Sequence, residues 1–79
     1  MFINWKYNNK TNFAKIVKDS IMETEGDPII YFRYEKDFFQ PIVKFDKEKG
    51  LLYFLTERSF KGEIDIAEFE TKGIKAFIS

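Results

Sequence analysis

The side chains behind most covalent catalysis are missing from this chain, which contains no histidine and no cysteine. Ser-His and Cys-His pairs are thereby excluded, and so are disulfides and the usual structural zinc sites. Ser20, Ser59 and Ser79 stand in no nucleophile-elbow context, and the four glycines are isolated turn residues rather than a phosphate-cradling loop. Carboxylates do pair at i,i+2: Glu35/Asp37, Asp46/Glu48 and Glu68/Glu70. Such pairs can run glycoside chemistry or hold Mg²⁺ or Ca²⁺. In lysine-rich turns, however, they serve mainly as solvated charge and edge protection. The sequence therefore assigns no catalytic residue, no metal and no cofactor, and the expectation is a protein that is not an enzyme.

What remains is recognition. Aromatic residues make up 19% of the chain, ten of them phenylalanine. Tyrosine, phenylalanine and arginine dominate binding hot spots. A protein-binding surface is expected from Tyr31, Arg33, Phe38, Phe39, Ile42 and Tyr53. The alternative is single-stranded nucleic acid, held by stacking plus cations on Trp5, Lys6, Tyr31, Arg33, Lys44 and Tyr53. Thirteen cations balance thirteen anions. That balance weighs against nucleic acid, which calls for a basic domain, and equally against mimicry of DNA, which calls for an acidic one. The charges are segregated nonetheless: residues 1–18 hold four lysines and no acid, and residues 19–27 hold four acids and no base.

These side chains must be positioned by strands. Ile29–Glu35, Pro41–Asp46 and Leu51–Glu57 are rich in β-branched and aromatic residues and bounded by turn formers. Alternation puts Ile30, Phe32, Tyr34, Val43, Phe45, Leu52 and Phe54 on one face. Ile29, Tyr31, Arg33, Ile42, Lys44, Tyr53 and Leu55 share the other, which is still too apolar for a solvated sheet face. Phe2–Tyr7 alternates as a further strand and ends at the turn-forming Asn8-Asn9. Phe13, Ile16, Val17, Ser20 and Ile21 fall at the spacing of an amphipathic helix, capped by Thr11 or Asn12 and stopped by Gly26. Glycines 50, 62 and 73 punctuate the rest at the period of an antiparallel meander. Residues 65–72 fit either a strand or a short helix, and a last strand is expected at 74–78.

The expectation is a single α+β domain over residues 1–79. One amphipathic helix, about 12–25, packs on an antiparallel meander in the order β-α-β-β-β-β. That order resembles cystatin-like folds in architecture alone. One helix covers one sheet face, so the second face needs an occupant, either a foreign protein or a second copy. No membrane-length apolar run and no secretory leader are visible, which points to a cytoplasm. Eleven lysines against two arginines suggest an AT-rich genome, such as a low-GC bacterium or a phage or mobile element within one. An inhibitor or adaptor of that origin is the functional expectation.

Overall fold

The computed structural model describes residues 1–7, 9–55 and 72–79. Among them it contains six strands: β1 (Phe2–Tyr7), β2 (Lys10–Ile16), β3 (Ile29–Glu35), β4 (Ile42–Asp46), β5 (Leu51–Phe54) and β6 (Ile74–Ile78). Every neighbouring pair is antiparallel, and β6 returns to β1 to close a barrel in the order β1-β2-β3-β4-β5-β6. The protein is therefore all-β among the described residues, and the α+β expectation is corrected. The resemblance to cystatin-like architecture falls with the helix. Of the undecided segment 65–72, residues 65–71 lie outside the described residues. No helix among the described residues is long and apolar enough to cross a membrane.

The expected helix about 12–25 fails for an identifiable reason. Phe13, Ile16, Val17 and Ile21 fit a helical stripe, yet Ala14 and Ile16 alternate equally well with Phe13 and Lys15 at the strand period. Thr11, Asn12, Ile16 and Val17 are weak helix formers. A partner strand decides the matter: β2 zips to β1 from Phe2↔Lys15 to Tyr7↔Lys10. Asn9, in the left-handed region at φ 63°, stands in the turn of this hairpin. A second left-handed residue, Asp19 at φ 66°, bars helical continuation beyond β2.

Ser20 repairs the ladder beyond that point. Ile16 faces Tyr34 and Met22 faces Tyr31, so residues 17–21 loop out beside β3. The backbone N–H of Val17 donates to the Arg33 carbonyl at 2.9 Å. The Ser20 hydroxyl accepts from the Arg33 N–H at 3.1 Å and donates to the Val17 carbonyl at 2.7 Å. Ser20 is thus a polar plug in a β-bulge, not filler on a helix face.

The barrel interior is filled by side chains. Ile30, Phe32, Tyr34, Val43, Phe45, Leu52 and Phe54 all point inward, as the alternation predicts, and Ile3, Trp5, Ala14, Ile16 and Ile74 meet them from the other strands. Trp5 lies 5.7 Å from Tyr34 and 5.5 Å from Phe54, ring centroid to centroid, and Tyr34 meets Phe54 edge-on. Such tilted pairs contribute about 0.5–1.5 kcal/mol each beyond their burial. The face that a helix was expected to cover is covered by the barrel's own far side.

Candidate functional site

The β3–β4 hairpin is longer than its strands. Beyond Arg33↔Ile42, the Tyr34 N–H reaches the Pro41 carbonyl, and Lys36 and Phe39 exchange backbone hydrogen bonds of 3.1 and 2.9 Å. Residues 36–41 are therefore a tight hairpin end rather than an open loop. Its two central residues, Asp37 at φ 50° and Phe38 at φ 71°, are both left-handed. That is a type I′ turn, whose twist suits a hairpin and whose usual sequence is Asn-Gly or Asp-Gly. Here phenylalanine stands where glycine is expected, and its Cβ makes that conformation cost roughly 1–2 kcal/mol. The Phe38 side chain recovers nothing by packing, since its relative exposure is 107%.

The arm behind this tip is braced on its outer side. Arg33 Nη1 donates to Gln40 Oε1 at 2.9 Å, and Gln40 Nε2 donates to Glu35 Oε1 at 3.0 Å. Arg33 and Ile42 face each other across the ladder. One step along lies a row of Met22, Tyr31, Lys44 and Tyr53. The structure therefore brings Tyr31, Arg33, Ile42 and Tyr53 onto one outer face, with Phe38 and Phe39 at its end. Tyr31 and Ile42 are exposed, whereas Tyr53 is half-buried.

The nucleic-acid set does not assemble in the same way. Trp5 is 4% exposed inside the barrel, so its place in an outer stacking face is corrected. Its inward phase follows from β1 itself, where Ile3 and Trp5 alternate with Phe2, Asn4 and Lys6. Lys6 points outward from β1, three strands away from β4, and does not join Tyr31, Arg33 and Lys44. The Lys44 ammonium lies over the Tyr53 ring at 4.6 Å, so that ring face already holds a cation.

Two carboxylate pairs also find their places. Asp46 is buried, and its Oδ1 accepts from the N–H groups of Glu48 and Lys49, both at 3.0 Å. It fastens the β4–β5 turn. Glu35 receives the Gln40 amide, and Glu68/Glu70 lies outside the described residues.

A second surface was not assembled from sequence. On the outer side of β6, β1 and β2, Phe13 and Phe77 flank Asn4 as its cross-strand neighbours. Phe13 is 63% exposed and Phe77 is 61% exposed, and Phe2 meets Phe13 edge-on at 6.2 Å. Asn4 Nδ2 donates to Ser79 Oγ at 2.9 Å and to the Phe77 carbonyl at 3.3 Å, which pins the floor between the rings. The Phe2/Asn4/Lys6 alternation carries half of the signal; the other half needs Phe13 on a strand opposite Asn4 rather than on a helix.

Compared with known proteins, the chain matches no protein family, no curated protein and no solved structure.

Proposed function

We propose that this protein is a small, non-enzymatic, cytoplasmic binding module of inhibitor or adaptor type, which docks the β3–β4 hairpin end and the adjoining outer face onto a protein partner. One observation carries the reading: Phe38 occupies a strained left-handed position and offers its whole ring to solvent. Strain held at an exposed aromatic residue is the pattern of a functional contact rather than of a folding device. A phenylalanine at the end of a rigid two-stranded arm is an anchor that enters a pocket with little loss of conformational freedom. Tyr31, Arg33, Phe39, Ile42 and Tyr53 provide the surrounding contact area. The Arg33–Gln40–Glu35 chain holds the arm's outer face in shape before any encounter.

The test exchanges Phe38 for glycine, which suits a type I′ turn and removes the anchor. Wild-type protein and Phe38→Gly are used to capture partners from host extract, with Tyr31→Ala alongside. The expected result is a partner retained by wild type, lost with Phe38→Gly and weakened with Tyr31→Ala. A partner that both variants hold as tightly as wild type removes the hairpin from the interaction. Self-pairing through the same face would appear as a dimer on a sizing column that Phe38→Gly converts to monomer.

A further inference from the structure

We propose that the outer face of β6, β1 and β2 is a binding surface for single-stranded nucleic acid, separate from the β3–β4 hairpin. Three observations converge on it. The first is charge: the outward positions of β1, β2 and β6 carry Lys6, Lys15 and Lys75 and no acid, although the chain as a whole is neutral. Among the described residues, Glu35 stands opposite Lys15 and Glu48 precedes Lys49 in the β4–β5 turn. The second is shape: a trough of about 440 Å³ runs along this face, lined by Asn4, Lys6, Thr11, Lys49, Lys75 and Phe77. Lys6, Lys49 and Lys75 place three cations along one groove. The third is the rings: Phe13 and Phe77 stand exposed on either side of the pinned Asn4, two strand spacings or roughly 10 Å apart.

Stacking platforms interleaved with a basic groove are what a flexible polyanion with planar bases requires, and this arrangement tolerates any base sequence. A peptide fits less well. Both edges of β1 are already hydrogen-bonded, so an extended polypeptide lying along β1 has no ladder to join there and only side chains to grip. A concave trough also suits a single chain better than the broad plane of a membrane.

The experiment titrates the full chain into fluorescently labelled oligo-dT and oligo-rU of about 12 nucleotides, within the ~4–16 nucleotides that one small single-strand-binding domain covers. Fluorescence anisotropy is read at several salt concentrations, with a duplex of equal length and phosphatidylserine vesicles as competing arms. Expected is a preference for single strands over duplex, with a log–log salt slope of about −2 for three neutralised phosphates. Phe13→Ala and Phe77→Ala should each weaken binding by roughly five- to a hundredfold, as loss of one stacked base implies. Lys6→Gln/Lys75→Gln should flatten the salt slope by more than half. Phe38→Gly should bind oligonucleotide as wild type does, so failure here and failure of the hairpin reading are distinguishable. All variant positions are exposed, and circular dichroism confirms folding; should the phenylalanine variants unfold, the lysine pair alone decides. No binding at low salt, equal binding to duplex without effect of the ring deletions, or preferential capture by vesicles overturns the proposal.

Discussion

The ring of Tyr53 lies on Gly73: a Cβ built on that glycine would sit 2.9 Å from Tyr53 Cε2 and 3.0 Å from Cζ. The glycine is also left-handed, at φ +70°. The aromatic ring thereby covers a bare stretch of backbone beside β6, an arrangement that protects glycine in sheets. Gly73→Ala should cost roughly 1–2 kcal/mol from the backbone conformation alone, with further cost for moving the ring. Urea unfolding measures it. Combined with Tyr53→Ala, the ring clash vanishes, so the double variant should be more stable than the sum of the two single losses. Strict additivity would show that the two residues do not touch.

Ser20 offers a second check. Its hydroxyl both accepts from Arg33 and donates to Val17. Ser20→Ala leaves the Arg33 amide without a partner at this position, at a cost of about 1–2 kcal/mol. Amide exchange at Arg33 should quicken by at least the same free energy while the amides of β4 hold. An unchanged Arg33 rate would mean that the hydroxyl does not complete the ladder.

Asp46 should behave as a turn fastener. Asp46→Ala removes an acceptor shared by two N–H groups, which costs roughly 2–3 kcal/mol for a charged acceptor. Asp46→Asn keeps an oxygen in the same place and should lose less than half as much. Equal losses in the two thermal melts would point to the negative charge, rather than the hydrogen-bond geometry, as the contribution that matters.

The hairpin end carries the prediction of opposite sign. Phe38→Gly should raise unfolding free energy by roughly 1 kcal/mol, because the φ 71° backbone then costs nothing. Glycine's greater freedom in the unfolded chain subtracts part of that gain. A clear loss of stability would make Phe38 a structural residue and leave the docking proposal without its main support.

Much of the barrel wall was legible because alternation is local. Ile30, Phe32 and Tyr34 follow one another at the strand period, and no distant partner is needed to see which face they share. Closure was not legible, because it rests on Trp5 finding Ala76 and Asn4 finding Phe77 across almost the whole chain. Phe13 shows where the two periods part: a helix would bury it, whereas the ladder to Asn4 turns it outward. A helical Phe13 also leaves Asn4 and Phe77 without their aromatic neighbour, and the second face goes unseen. Parity alone puts Tyr31, Arg33, Ile42 and Tyr53 on one face. Residue type suggests an outer stacking role for Trp5, but its own strand's parity places it inside.

The two seams of the barrel have a mechanical consequence. Among the described residues, β2 meets β3 in regular register only at Lys15↔Glu35 and Ile16↔Tyr34, and β5 meets β6 only at Leu51↔Lys75 and Leu52↔Ile74. The wall is thus two three-stranded shells with short joints, and thermal breathing should start where the joints are shortest. The sole tryptophan projects from one shell against Tyr34 and Phe54 of the other. Its fluorescence is therefore a built-in gauge of whether the shells are shut, and it needs no added label.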